Sequence, residues 1–556
     1  MGLISSIEFN DFSSIELDDD SIVVLVGPNN AGKSQSLRDI YDLCLHYNKA
    51  TRVVKNIQLH LPSQDNLEET AKKYSKVLQA AMSMQYEGYN YSFSDHDLVK
   101  LYKEGHSNSL GPLRNFLISC LGTEGRLGIV YPPQVAGEFG KKDHPIQYLA
   151  DSPTNQRAVS DIFQQAFGCP LTVDMLKGDT LPLRLGSWPD LDELQADDLM
   201  ELVVRVRAAL ATLDELQDQG DGMRSFAGII LNLLIAHCLT FVVDEPESFL
   251  HPPQAYILGR IIGKLLGANR QCILATHSRD IICGLLESCP QRVKFVRITR
   301  FGNTNRICVL DSEAIDELWA DPILKYSNIM DAMFHELVVI CESDADCMMY
   351  SLVYTHISAK SDHDVWPLFV HCGGKHRMVK IVDALQALEI PFRVVPDLDL
   401  LNNEHTCKRL YEACGGDWSK IESDFRVAYS SIAQRGHKVS RADLSRLLEQ
   451  HNDRYLSNEE IKGVSTLLND GKPWTYVKTN GFGAFPGGDA TKAAMRLNNA
   501  LKQVGIFLVP VGELEMFNKT SGKHGPAWVL EVLEANPDIG DAVYDEIRAF
   551  VTSWGV

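Results

Sequence analysis

The stretch "SIVVLVGPNNAGKSQSLRDIY" (residues 21–41) decides the first half of the fold. Its run IVVLV (residues 22–26) reads as a strand apolar on both faces, of the kind buried inside a parallel sheet. A Gly-rich turn and a helix-like run follow. Gly27-x-x-x-x-Gly32-Lys33-Ser34 therefore lies between strand and helix, the setting that a phosphate-binding loop requires. The backbone of the turn, with Gly27, Asn29, Asn30, Ala31 and Gly32, can cradle phosphates. Lys33 reaches the β and γ oxygens, and Ser34 ligates Mg²⁺. The cofactors implied are ATP and Mg²⁺.

Two later strands supply what such a loop lacks. "CLTFVVDEPESFLHPPQ" (residues 238–254) ends its apolar run in Asp244 and Glu245. In a parallel α/β sheet the carboxyl ends of strands face the ligand. Asp244 then completes the Mg²⁺ shell, and Glu245 is the general base for a water attacking the γ-phosphate. "RQCILATHSRDII" (residues 270–282) delivers His277 about one strand–helix–strand repeat later, placed to sense or polarise that phosphate. Just before the acidic strand, Gly220-Asp221-Gly222 opens an apolar helix, and a helix N-terminus favours anions. A plain flexible turn explains that glycine pair equally well.

The second half repeats the logic with more acid. "ELVVICESDAD" (residues 336–346) is an apolar strand ending at Glu342, with Asp346 four residues on in a helix. A strand near "DVWPLFVHCGG" leads to Gly373-Gly374-Lys375, and "PFRVVPDLDLLNN" ends a third strand in Asp397-Leu398-Asp399. "KQVGIFLVPVGELEMF" reads as another apolar strand, finishing in Gly512-Glu513-Leu514-Glu515. Residues two apart in an extended chain point the same way, so Asp397 and Asp399 crowd each other, as do Glu513 and Glu515. Acids brought together at strand ends need divalent cations. The candidate metal ligands are Glu342, Asp346, Asp397, Asp399, Glu513 and Glu515 here, with Ser34 and Asp244 in the first half.

Bulk properties bound the reading. The 556 residues exceed one core, so about three domains are expected. A formal net charge of −20 repels nucleic acid on average, so contact with DNA needs a local basic patch or metal-bridged phosphates. The 13 cysteines form no CxxC pair and fall largely in apolar stretches, which suggests reduced thiols in a cytoplasmic protein without a zinc site. No apolar run approaches the roughly 20 residues of a membrane span. "MGLISS" fits a myristoylation pattern, although it runs straight into a strand-like stretch, the favoured reading.

The order of phosphate loop, "GDGMRSF", "DEPESFLHP" and "ATHS" resembles the ABC-type ATPase heads of the SMC, RecF and OLD proteins. That resemblance implies two heads sandwiching ATP, with Gly220, Asp221 and Gly222 acting in trans on a partner chain. The transporter signature LSGGQ is absent, and no long heptad arms divide the head. The acid pattern Glu342, then Asp397-x-Asp399, resembles the Toprim fold of topoisomerases, primases and OLD nucleases. Ser343 stands where Toprim domains usually have Gly.

Head followed by Toprim narrows the resemblance to the OLD nucleases, a group that includes the Gabija nuclease subunit and retron-associated effectors. It implies an α/β architecture with four parts. Residues 1–312 form the head, with an insertion over about 50–200. A helical linker spans 313–334, Toprim spans 335–530 with a helical insertion over about 402–479, and a helical tail spans 531–556. It also implies Glu513 and Lys523 completing a two-metal site, Lys519 being the competing lysine. Mn²⁺ could replace Mg²⁺ there.

The implied activity is Mg²⁺-dependent DNA hydrolysis gated by ATP, in a homo-oligomer joined through its heads, with a defence role. A defence-system partner protein or nucleic acid is the further partner, and no membrane is involved. The rival is an ATP-driven DNA clamp or sensor that does not cleave; a RecF-like ATPase alone leaves the second half unexplained. The basic run "AQRGHKVSRADLSR" (residues 433–446) reads first as a solvated helical face and second as a DNA-backbone contact or a partner-docking insert.

Overall fold

The structure, a computed structural model, describes residues 2–45, 49–80, 83–103, 110–137, 140–192, 194, 196–302, 304–310, 328–359, 365–436, 439–448, 455–470 and 472–555. The chain divides into two compact units, 1–320 and 321–556. Both are α/β. The helical linker expected at 313–334 lies, as far as residue 327, outside the described residues; Asn328–Phe334 is a 3₁₀ helix.

The first unit is organised by a six-stranded sheet in the order Thr304–Leu310, Val293–Phe301, Ile22–Val26, Gln271–Ala275, Thr240–Asp244, Ile118–Leu121. Its pairings are parallel except for the antiparallel edge Thr304–Leu310. Ile22–Val26, Thr240–Asp244 and Gln271–Ala275 are apolar runs without alternation because both of their faces are covered. Register sets Asp244 beside Ala275 and Ala275 beside Leu25, so three strands release their chains at one edge. The phosphate loop, Glu245 and His277 therefore converge there.

The expected insertion at about 50–200 is not an appendage. It supplies an antiparallel meander, Lys76–Ala80, Ser83–Gly88 and Tyr91–Ser94, but it also returns the edge strand Ile118–Leu121 to the main sheet. Pairing with Thr240–Asp244 overrides what looks like an interruption in the sequence.

The second unit has a parallel sheet in the order Leu368–His371, Val338–Cys341, Phe392–Val395. The central strand is wholly buried, and Cys341 lies opposite both His371 and Val395. Glu342 and Asp397 thus leave the sheet at the same edge. The strand expected before Glu513 is reduced to a single parallel bridge, Val394 to Ile506. Phe507 N still donates to Val394 O (2.8 Å) and Val509 N to Pro396 O (3.1 Å). Pro396 and Pro510 have no N–H to return, so a regular ladder cannot continue.

Residues beyond 530 enter this unit's core. Tyr350 of the helix Asp344–Ser358 meets Phe550 and Trp554 edge-to-face at 5.9 and 5.6 Å. None of the thirteen cysteines is in a disulfide. No described helix is long and apolar enough to cross a membrane.

Candidate functional site

In the first unit Gly27 has a φ of +140°, and a Cβ there would stand 2.0 Å from the carbonyl oxygen of Ile298. Only glycine lets the loop turn so close to its neighbouring strand. The turn ends at the helix Lys33–Leu45, whose free amides face an open cleft of about 880 Å³. Asn29, Asn30, Ala31, Gly32, Lys33 and Ser34 line it, with Glu245 and His277 opposite. Lys33 Nζ folds back to donate to Gly27 O (2.8 Å) and Pro28 O (2.7 Å). Burial pulls its pKa down to about 8, against the opposing charges of Glu245, Glu247 and Asp244.

Ser34 Oγ donates to Asp244 Oδ1. Burial raises the Asp244 carboxyl, and the Ser34 hydroxyl partly offsets it. Glu245 is held at a φ of +44°, a region sparsely populated by non-glycine residues. Its amide donates to Ala275 O at 2.9 Å. Burial lowers the His277 pKa to about 4, and Lys33 adds to the effect, so its imidazole is neutral at pH 7. Asp221 and Gly222 do not line this cleft. Asp221 starts the helix Asp221–Ile235, where it pairs with Arg224 at 2.9 Å.

Two residues here carry no signal in the sequence reading. Arg126, fully buried, donates through Nη1 to Asp244 O (2.6 Å) and through Nη2 to Glu245 O (2.8 Å). Glu247 accepts the His277 backbone N–H at 2.7 Å, leaving Oε2 buried without a hydrogen-bond partner. Burial raises its carboxyl pKa. An arginine in "GTEGRLG" looks like surface; only the long-range fold shows it clamping the acidic strand end.

In the second unit Glu342, Asp397 and Asp399 each offer a carboxylate oxygen, all within 4.8 Å of one another. Glu513 and Glu515, each through a carboxylate oxygen, and His524, through a ring nitrogen, form a second trio within the same distance. Glu342 Oε1 accepts the Asp397 N–H at 3.2 Å. Leu398 N donates to Gly512 O at 2.9 Å, which ties the Asp-x-Asp turn to the loop bearing Glu513. Burial first, and then Asp399, raises the Glu342 pKa; burial and then Glu342 raise that of Asp397. Asp399 Oδ1 is buried with no hydrogen-bond partner.

Asp346 belongs to neither trio, but it is near enough that, after burial, its charge raises the Asp397 carboxyl and that of Glu515 raises its own. Its Oδ2 accepts Ser343 N (2.9 Å) and Ser343 Oγ (3.0 Å), a reciprocal cap on the helix Asp344–Ser358. Burial raises its pKa to about 6. Ser343, which departs from the usual glycine, is therefore the N-cap. Lys523 is not brought to the acids: it is exposed, 3.8 Å from Glu531. Lys519 is likewise exposed and bonds Thr479 O at 3.4 Å.

Two other lysines do arrive. Lys375 Nζ lies 3.0 Å from Asp399 Oδ2. Lys478 Nζ lies 2.9 Å from Asp397 Oδ2, 3.2 Å from Glu513 Oε2 and 3.9 Å from Asp399 Oδ2. Burial pulls Lys478 down, but Asp397 and Asp399 outweigh it and hold the ammonium protonated. Lys478 belongs to the stretch expected to be a helical insertion, about 402–479. By contrast the basic run at 433–446, whose residues 437–438 are outside the described set, contributes the helix Arg441–Leu448 with no buried residue.

Comparison with known proteins gives short matches. Residues 182–283 match the family described as "AAA domain, putative AbiEii toxin, Type IV TA system". The chain is 25% identical over 167 residues to the Old nuclease of Escherichia phage P2, covering 29% of this chain and 28% of that protein. It is 25% identical over 170 residues to the OLD nuclease of Thermus scotoductus, covering 29% and 31%. The matched stretch spans less than a third of either relative. Among solved structures, an SMC head bound to the C-winged helix domain of ScpA matches at a TM-score of 0.34 and 10% identity, covering 57% of this chain and 99% of that one. The SMC head domain from Thermotoga maritima matches at 0.28 and 12%, covering 56% and 99%.

Proposed function

We propose that this chain is an ATP-regulated, Mg²⁺-dependent DNA endonuclease or nickase of the OLD type. Residues 1–312 are its ABC-type ATPase head and residues 335–530 its Toprim nuclease domain. The reading is carried by one observation: Glu342, Asp397 and Asp399 gather at adjacent parallel strand ends with Asp399 Oδ1 buried and unmet. An all-oxygen set with an unengaged buried acceptor suits a hard divalent cation.

Glu342, Asp397 and Asp399 hold one cation, and Glu513 and Glu515 the other, with His524 beside them. Bound Mg²⁺ or Mn²⁺ supplies Lewis-acid activation of a phosphodiester and of the attacking water. Asp346 keeps the first turn after Glu342 in place through the Ser343 cap. Lys375 steadies Asp399.

In the head, Lys33 leaves its loop carbonyls for the β and γ phosphates, and Ser34 and Asp244 take the Mg²⁺. Glu245 orients the attacking water, while neutral His277 faces the γ-phosphate. Gly220, Asp221 and Gly222 serve the nucleotide of a second head, so that ATP joins two chains and gates cleavage. A role in anti-phage defence, as for the Gabija nuclease subunit and retron-associated effectors, rests on resemblance, supported by the similarity to the two OLD nucleases.

The test uses the full chain on supercoiled plasmid and single-stranded DNA, with Mg²⁺ or Mn²⁺, with and without ATP. Cleavage lost in Asp397→Ala/Asp399→Ala supports the nuclease. Lys33→Ala then gives the sign of ATP control. No cleavage by wild type under any of these conditions overturns the reading in favour of an ATP-driven clamp.

A further inference from the structure

The helix Pro473–Asn480 closes the stretch expected as a helical insertion, and it is fixed on two sides. Trp474 and Val477 are buried, and the Trp474 ring stacks on Tyr429 with centroids 5.9 Å apart. At its other end, Phe482 N donates to Pro510 O at 3.1 Å. Gly512 packs so closely that a Cβ there would stand 1.9 Å from Lys478 O. The backbone carrying Lys478 and the backbone leading to Glu513 are thus in direct contact. The position of Lys478 follows from main-chain packing and not from a flexible side chain reaching across.

At that position one ammonium group serves three carboxylates from two chain segments. Lys375 and Lys478 formally neutralise only half of the charge on Glu342, Asp397, Asp399 and Glu513, so the centre retains its demand for cations. The Lys478 side chain is still 29% exposed. The ammonium is therefore not sealed from solvent. Lys523, 59% exposed and nearest Glu531, has neither the contact with the acids nor the backbone anchor.

We propose that Lys478 is the catalytic lysine of the acidic centre, the cation that meets the phosphate oxygen on which charge builds during cleavage. This rests on the nuclease reading above. A preorganised ammonium costs no rearrangement at the moment of reaction. The helical segment that interrupts the second unit therefore contributes directly to its chemistry.

The test compares wild type, Lys478→Ala, Lys478→Arg, Lys523→Ala and Lys472→Ala, the last being an exposed lysine at the start of the same helix. Plasmid cleavage is measured in Mn²⁺, and Mn²⁺ binding is measured by calorimetry without DNA. Lys478→Ala is expected to cleave about 100-fold more slowly or worse, the usual loss for one preorganised donor. It should bind Mn²⁺ at least as tightly as wild type, because the carboxylates lose a competing cation. Lys478→Arg should recover part of the rate, and Lys472→Ala should match wild type.

Cleavage by Lys478→Ala within fivefold of wild type overturns the proposal, most directly if Lys523→Ala is then the slow variant. Mn²⁺ binding lost together with cleavage also overturns it, since Lys478 would then only hold the acids in place. Absence of cleavage by wild type defeats the nuclease reading itself, a result distinct from an active wild type whose Lys478→Ala variant is equally active.

Discussion

Ser34 Oγ donates a 3.0 Å hydrogen bond to Asp244 Oδ1, joining residues 210 positions apart in the chain. The hydroxyl and carboxylate that would share a Mg²⁺ are already in contact, so little rearrangement separates this state from a loaded one. Asp244→Ala should then lower ATP hydrolysis by about 100-fold or more, a few kcal/mol of lost charge stabilisation. Binding of a fluorescent ATP analogue in EDTA should persist, because the loop and Lys33 remain. If analogue binding in EDTA falls as far as hydrolysis does, Asp244 is structural.

The carbonyls of Asp244 and Glu245 are both met by Arg126. Arg126→Ala removes a buried cation and leaves two acceptors unsatisfied, at a cost of about 1–3 kcal/mol for each lost bond. Chemical denaturation should show a lower midpoint, and ATP hydrolysis should fall with it. Arg126→Lys keeps charge but not the fork, so it should remain impaired. A lysine variant with wild-type stability and turnover would show that the clamp is dispensable.

His277 gives a pH dependence with a definite sign. Its folded pKa, about 4, lies below the unfolded value of 6.5, chiefly through burial. Between these values the unfolded chain binds more protons, so the stability is fully present above about 6.5 and is lost as pH falls towards 4. His277→Gln should flatten the acid limb of melting temperature against pH over that window, with little change at pH 8. An unchanged acid limb would mean that His277 is not buried as described.

These positions differ in how far the sequence could reveal them. The phosphate loop, Asp244, Glu342 and Asp397 each end an apolar run, and the rule linking strand ends to ligand sites is local. Lys478 has no such marker, because its neighbours Thr479 and Asn480 are polar and exposed. Its place depends on Gly512 meeting its carbonyl, a contact made 34 residues later. Arg126 is hidden in the same way, since the segment holding it resembles an insertion until Ile118–Leu121 pairs with Thr240–Asp244. Asp346 has a use that spacing does not reveal: four residues after Glu342 suits a ligand, and its Oδ2 also accepts from Ser343 to cap the helix. Spacing shows which acids are near each other; it does not show which lone pairs are taken.

The repulsion among Glu342, Asp397 and Asp399 predicts a response to cation removal. Mn²⁺ at a hundredfold excess over its Kd should stabilise the folded chain by about 2.7 kcal/mol, read as a rise in the second unit's melting temperature that EDTA reverses. Asp399→Asn removes a charge that, after burial, raises the Glu342 carboxyl. Without metal this variant should melt higher than wild type, and with Mn²⁺ it should gain little. A wild-type melting curve indifferent to Mn²⁺ would count against a metal centre.

Gly512 is where backbone geometry can be separated from side-chain chemistry. Its φ of +114° is already costly for any other residue, and the 1.9 Å approach to Lys478 O leaves no room for a methyl group. Gly512→Ala must therefore push the Glu513 loop away from the helix Pro473–Asn480, at about 1–3 kcal/mol or more. A methyl group added at Gly487 would meet nothing within 4 Å, so that position serves as the control. If the acids and Lys478 work as one centre, Gly512→Ala should slow DNA cleavage about as much as Lys478→Ala, although it alters no charged group. Gly487→Ala should cleave like wild type. Full cleavage by Gly512→Ala at a temperature where it remains folded would mean that Lys478 and Glu513 need not be held together.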